Sequence, residues 1–310
     1  MKKKIVSVLV FVFFTILLFA GILRVNYVLR PKEYEGAQDL FMKWKPEHAD
    51  IVFVGSSHQF CCISPDLLHD EYNIESFMLA TCAQTMPMSY YAVEEAIKYK
   101  HPDTIVLEAL CVSNDFSVVE NMDHCFFTGM PMDIRIKAIK DFVPDNRKLY
   151  YLMPLGMFHS RWKELSEADY AGFPLSSRGT FTTEHCERNH EIKLEDVNDK
   201  LPPDENIMKY VDGIVELCNE NNVKLIMYIA PFNALYPDEE CVEDLARRQK
   251  IFNSFRDYVN ERGLICYNLF DNIEELGLDD NTDWMDTQHL NRFGQEKFTR
   301  YMAEKGYLGY

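Results

Sequence analysis

The sequence predicts an α/β protein: a three-layer α/β/α body on a five-stranded parallel sheet, joined to one N-terminal transmembrane helix. Three observations carry this. The chain opens with a lysine cluster followed by a long uncharged apolar run. Short continuous apolar runs then alternate with helical segments, the pattern of strands buried on both faces and joined by helical crossovers. The 310 residues are 47% apolar and contain no low-complexity tract, enough for one large core.

Taken in order, Lys2, Lys3 and Lys4 precede the uncharged run Ile5 to Leu23, which Arg24 closes. At helical rise the run spans roughly 30 Å, the thickness of a bilayer core, and the lysines keep its start cytoplasmic. Residues 1–24 are therefore expected to be an uncleaved signal anchor, single-pass in the cell membrane, with the remaining chain extracytoplasmic. A cleaved signal peptide ending near Leu18-Phe19-Ala20 is the alternative. Residues 25–49 read as a polar connector, and 50–310 as the folded domain.

Within that domain, "IVFVG" (51–55), "IESFMLA" (74–80), "TIVLEAL" (104–110), "VKLIMYIAP" (223–231) and "LICYNLF" (264–270) read as strands. Helices are expected over 90–99, 206–222 and 241–263, the last closed by Gly263, and from Arg292 to about Lys305. Right-handed crossovers place such helices on both faces of the sheet. Residues 112–202 break the rhythm with aromatics, prolines and histidines. Long excursions of this kind leave from the C-terminal ends of strands, where ligands bind, so the segment reads as a cap or substrate-binding insertion.

The net charge is −17, and −21 once Lys2, Lys3, Lys4 and Arg24 are set aside, which argues against nucleic acid as a partner. Nine cysteines without framework spacing do not form a disulfide scaffold. Several, such as Cys218 and Cys266, sit inside apolar patterns as small buried hydrophobes, so mostly reduced thiols are expected.

The chemistry concentrates at two places. Gly55, Ser56 and Ser57 end the first strand, where glycine permits a tight or left-handed turn and a serine can be presented at the sheet edge. A serine hydroxyl needs a base to act as a nucleophile at neutral pH. "DWMDTQHLNRFG" (283–294) supplies Asp286 and His289, three apart before the last helix, with Asn291 as its N-cap. Each element also has a plainer reading, as a turn and as a cap; their occurrence at matching ends of the first strand and the last helix favours the catalytic one. Cys61-Cys62 with His69, and "HCERNH" (185–190), lack metal-site spacing, so no metal is expected. Trp162, Tyr170 and Phe173 are candidate sugar-stacking residues, although packing is the commoner fate of such side chains.

"VFVGSSH", "LATCAQT", "VLEAL", "YIAPF" and "DWMDTQHLNRFG", in that order, resemble the SGNH (GDSL-like) hydrolase superfamily. More narrowly they are similar to its membrane-anchored cell-envelope branch, with the D-alanyl-lipoteichoic acid transfer protein and alginate-type O-acetyltransferases. The resemblance covers most of residues 50–305 and implies a flavodoxin-like three-layer fold and no cofactor. By position it implies Ser57 as nucleophile, His289 as base and Asp286 as its orienter. Ser57 N–H would serve an oxyanion hole, where each aligned donor supplies on the order of 3 to 4 kcal/mol. The second block's glycine falls at Ala83, next to Gln84, whose side-chain amide is an alternative donor. The third block's Gly-x-Asn-Asp is missing: Glu108 ends the strand, and Ser113-Asn114-Asp115 comes several residues later. His58, beside the nucleophile, is a candidate substrate contact or a packing residue.

Three functions follow as expectations. The first is an extracytoplasmic serine O-acyltransferase that modifies a cell-envelope glycan, with a multispanning membrane acyltransferase as a possible donor partner. The second is a carbohydrate esterase of the same fold. The third is a non-catalytic binding or assembly factor, which the missing third block makes plausible.

Overall fold

The computed structural model describes residues 2–30, 37–113, 117–122, 129–152, 154–171, 174–188, 198–233, 239–270 and 272–309. The elements run α1 (Lys2–Leu29), α2 (Ala37–Lys43), β1 (Ile51–Gly55), α3 (Ser57–Cys62), α4 (Pro65–Tyr72), β2 (Ser76–Ala80), α5 (Met86–Lys100) and β3 (Thr104–Glu108). After a 3-10 turn at Leu110–Ser113 come α6 (Val118–Asn121), α7 (Met132–Phe142), α8 (Lys148–Leu152), α9 (Pro154–Phe158), a 3-10 turn at His159–Lys163 and α10 (Ala168–Ala171). The chain closes with α11 (Glu205–Glu220), β4 (Lys224–Ile229), α12 (Glu239–Asn260), β5 (Ile265–Asn268), α13 (Ile273–Leu276) and α14 (Arg292–Glu304).

All five strands are parallel, in the order β2-β1-β3-β4-β5. Every residue of β1, β2 and β3 is buried, as the continuous apolar runs require of strands covered on both faces. Strand alternation divides these side chains between two cores. Val52, Val54, Leu79, Ile105, Leu107 and Met227 pack on one face with α5, α7, α11 and α12. Ile51, Phe53, Met78, Val106, Ile226 and Tyr228 pack on the other with α3, α4, α13 and α14. β1 coincides with its sequence run, and the other strands end up to two residues inside theirs, because ladder pairing stops where the chain turns.

The order matters for function. The chain leaves β1 toward β2 on one side, then crosses back to place β3 on the other. Between β1 and β3 the strand order reverses, and the crevice outside the C-terminal strand ends is the ligand position in such sheets. Gly55 ends β1 and Glu108 ends β3 at that crevice.

Of the segment 25–49, residues 25–30 and 37–49 are described, and both stretches hold buried side chains. α1 continues through Leu29, and Val28, Leu29 and Arg30 are buried; α2 buries Ala37 and Phe41, with the Phe41 ring 5.0 Å from that of Phe77. Lys100 donates to the carbonyls of Trp44 and Pro46, tying this stretch to α5. The described residues of 112–202 fall into three structural parts. α7 packs on α5 in one core, α8, α9 and α10 gather near the C-terminal end of α1, and 176–180 runs along the outer edge of β2 before 183–187 meets residues 281–292. There Met78 N–H donates to the Arg178 carbonyl at 3.0 Å, Arg178 pairs with Glu75 at 2.7 Å, and the Thr183 carbonyl accepts from Arg292 N–H at 2.8 Å. The strap covers an edge strand whose backbone groups would otherwise be open to pairing.

Candidate active site

Gly55 is required by close approach rather than by a left-handed turn. A Cβ at this position would stand 2.7 Å from the Cβ of Glu108 and 2.9 Å from that of Gln59. With β1 and β3 this close, the chain turns directly into α3, with Ser56 as N-cap and Ser57 as the first helical residue. The Ser56 hydroxyl faces inward, accepting from His58 N–H at 3.3 Å and donating to Glu108 at 2.8 Å. Ser57, one residue on, faces the cleft. Both serines border the cleft, but the Ser56 hydroxyl is bonded to Glu108 within the fold while that of Ser57 meets His289.

His289 arrives on a short antiparallel loop. Trp284 and Leu290 form an isolated bridge, Met285 N–H donates to the His289 carbonyl at 2.9 Å, and the Trp284 side chain is fully buried. Asn291 caps α14 through Phe293 and Gly294 N–H and donates its amide to the Thr282 carbonyl, fixing the loop to the helix. Inside this frame, Asp286 Oδ1 accepts from the backbone N–H groups of Gln288 and His289, both at 2.9 Å. Asp286 Oδ2 lies 2.8 Å from His289 Nδ1, and His289 Nε2 lies 2.7 Å from Ser57 Oγ. Burial alone would raise the Asp286 pKa. Hydrogen bonds from the His289 ring and the two backbone N–H groups outweigh it and hold the carboxyl below the usual aspartate range.

The cleft over these groups has a volume of about 460 Å³. Ser56, Ser57, His58, Arg248, Asp286, Gln288 and His289 supply its polar wall, and Phe60, Ala83, Leu110 and Met285 its apolar one. Cys61, Cys82 and Cys111 also line it. Burial pushes the Cys61 and Cys111 thiols well above the ordinary range, so neither offers a thiolate to compete with Ser57 as nucleophile. Cys61, Cys62, Cys82, Cys111, Cys186, Cys218 and Cys266 form no disulfide, and Cys125 lies outside the described residues.

The remaining predicted residues fall in three groups. Ala83 lines the cleft with φ 48°, a left-handed backbone rarely adopted by a residue with a Cβ. His58 also lines it, its ring 4.7 Å from that of His289 and stacked near Phe232. Burial first, and the neighbouring His289 second, lower its pKa well below the ordinary value, so it is neutral at neutral pH. Gln84 and Glu108 require correction. The Gln84 amide is turned into the fold, accepting from Thr81 and donating to Ser89, and it does not line the cleft. Glu108 is fully buried behind Ser56, accepts from Leu110 N–H at 2.6 Å and does not line the cleft.

Other candidates do not converge on the cleft. No described residue of 112–202 lines the cleft itself, although Asn121 donates to the carbonyl of Cys82 at 2.9 Å and the Phe181 ring lies 5.7 Å from that of Phe60, both lining residues; Trp162 and Tyr170 are exposed beside elements that contact α1. Phe173, Asn114, Asp115 and His190 lie outside the described residues. Cys61 and Cys62 are buried while His69 pairs with Glu75, so these three form no common site. Among the insertion's cations, Arg178 is paired at the β2 edge and Arg161 with Asp169. The arginine at the cleft is Arg248, which donates to Asp244 at 2.6 Å from α12. Its signal in the sequence was topological: a helix that follows β4 starts at the same sheet edge as the serine.

No family model and no curated protein matches the chain. Among solved structures, a Bacteroides fragilis protein named a "putative acylhydrolase" is similar at 10% identity and a TM-score of 0.40, covering 86% of this chain and 92% of its own.

Proposed function

We propose that the protein is a membrane-tethered serine acyl-ester enzyme whose nucleophile is Ser57, and that it transfers an acyl group to a cell-envelope glycan. One observation carries the reading: Ser57, His289 and Asp286 form a continuous hydrogen-bonded chain, 2.7 Å and 2.8 Å long at its two links. In this reading His289 Nε2 takes the Ser57 proton as Oγ attacks the acyl carbonyl, then returns that proton to the departing group. The acyl-enzyme is resolved when His289 deprotonates an acceptor hydroxyl, which attacks the ester and releases Ser57, reprotonated by His289. The N–H groups of Ser57 and Ala83 stand as candidate oxyanion donors.

The apolar helix α1 is long enough to cross a membrane and favours transfer over hydrolysis, because it holds the cleft where acyl donors and nascent polymer meet. The acidic body disfavours a strongly anionic polymer, so neutral or amino sugars are the acceptors proposed. A multispanning acyltransferase is the donor partner of this scheme. A carbohydrate esterase is the second reading, favoured by a cleft whose described lining includes no residue of a covering insertion.

The test is labelling of the full-length protein in detergent with a fluorophosphonate. Wild type is expected to label, and Ser57→Ala and His289→Ala not to. Equal labelling of all three, or of none, would overturn the enzymatic reading in favour of a binding or assembly role. A chromogenic acetyl ester offered with and without oligosaccharide then separates the two enzymes: acceptor-dependent acceleration with acylated sugar is transfer, and acceptor-independent release is hydrolysis.

A further inference from the structure

We propose that the helical segment α8–α10 rests on the bilayer surface beside α1, giving the catalytic domain a second, lipid-facing membrane contact. The inference rests on α1 spanning the membrane and goes beyond it.

The length of α1 sets the geometry. The uncharged run Ile5 to Leu23 is exposed along its whole length, and at 1.5 Å per residue it measures about 29 Å, the span of a hydrocarbon core. The same helix then continues without a break into the domain, where Val28, Leu29 and Arg30 are buried. No linker separates bilayer from protein. Whatever packs around the last turn of α1 therefore lies at the depth of the lipid headgroups.

What packs there is α9, the His159–Lys163 turn and α10. Arg161 fixes the contact, donating to the Leu29 carbonyl at 2.7 Å and to Asp169 at 2.8 Å, so that α1 enters the insertion through a hydrogen-bonded joint. The same segment carries an unusual surface. Trp162 is 65% exposed, Tyr170 56%, Leu149 67%, Tyr150 53% and Leu152 39%. The other exposed large apolar residues described outside α1 are Met42, Leu201 and Phe293, each alone, and the pair Met132 and Ile136 one turn apart on α7. Trp and Tyr with an apolar body and a polar tip are the side chains that settle at headgroup level, and Lys163, whose ammonium lies over the Trp162 ring at 5.6 Å, suits the same zone.

Lipid is the occupant this argument selects, because the patch is continuous with a helix already in the bilayer. Two contacts instead of one would remove the freedom to tilt that a single helix leaves, and would present the cleft to the membrane in one orientation.

The test uses the full chain in lipid nanodiscs, with either ordinary phosphatidylcholine or phosphatidylcholine brominated near the top of its acyl chains. The chain has three tryptophans, and Trp44 and Trp284 are buried. Wild type is expected to lose emission in brominated discs, and Trp162→Phe to lose the bromine-dependent part. A chain that enters the discs but is quenched equally with and without Trp162, or not at all, overturns the docking and leaves the anchor standing. A chain that does not enter the discs overturns the anchor, and the docking with it.

Discussion

The Ser56 hydroxyl donates to the Glu108 carboxylate at 2.8 Å, so the serine next to the proposed nucleophile is committed to the protein's interior. Ser56→Ala would remove both this bond and the cap on His58 N–H. A buried carboxylate left short of a donor costs about 1–3 kcal/mol, so the variant should unfold at lower denaturant concentration. Its fluorophosphonate labelling should persist, whereas Ser57→Ala should abolish it. Loss of labelling in a folded Ser56→Ala protein would mean that the two serines have been assigned the wrong way round.

Glu108 should give the fold a pH dependence of unusual sign. Burial raises its pKa from 4.5 to about 7, although hydrogen bonds from Leu110, Ser56 and Ala230 pull the other way. Between these two values the folded state holds a proton that the unfolded state has released. Stability therefore falls as pH rises through this window, by on the order of 3 kcal/mol for a shift of that size. Glu108→Gln should flatten the difference between urea midpoints at pH 5 and pH 8. An unchanged slope would locate the titration elsewhere.

Asp286→Asn separates geometry from proton chemistry. The amide oxygen can still accept from Gln288 and His289 N–H, so the loop should keep its shape. The amide nitrogen would then donate to His289 Nδ1 and force the proton onto Nε2, the nitrogen that faces Ser57. In that tautomer the imidazole cannot take the serine proton, and kcat should fall by on the order of 10⁴ with little change in thermal stability. A fall of less than tenfold on an acetyl ester would remove Asp286 from the proposed chain.

How much of this was legible in the sequence follows from what each residue depends on. The five strands were legible because burial on both faces leaves an uninterrupted apolar run, and "IVFVG" and "TIVLE" show it directly. Ser57 and the Asp286/His289 pair were legible because each follows a strand or precedes a helix, so topology alone brings them to one edge. The roles of Glu108 and Gln84 were not. Both depend on where a side chain turns, and that is decided by partners more than fifty residues away for Glu108 and by Thr81 and Ser89 for Gln84. The packing of residues 37–44 was hard to read because their docking side chains, Ala37, Phe41 and Trp44, keep helical spacing over only two turns among polar neighbours.

Ala83 offers a test of the cleft wall that leaves the reacting groups untouched. Its φ of 48° places a Cβ in the left-handed region, which costs an L-residue roughly 1 kcal/mol and a glycine little. Ala83→Gly relieves that cost but adds freedom to the unfolded chain, so a net gain of about 0.5 kcal/mol is expected in the urea midpoint. Ala83→Val, whose branched Cβ tolerates this backbone least, should lower the midpoint instead. If Ala83 N–H serves the oxyanion, the glycine variant keeps the donor and should label with fluorophosphonate at an undiminished rate. The valine variant, able to relax only by moving the peptide, should label more slowly at a denaturant-free pH where it is fully folded. Equal rates for all three proteins would place the oxyanion donor elsewhere on the cleft wall.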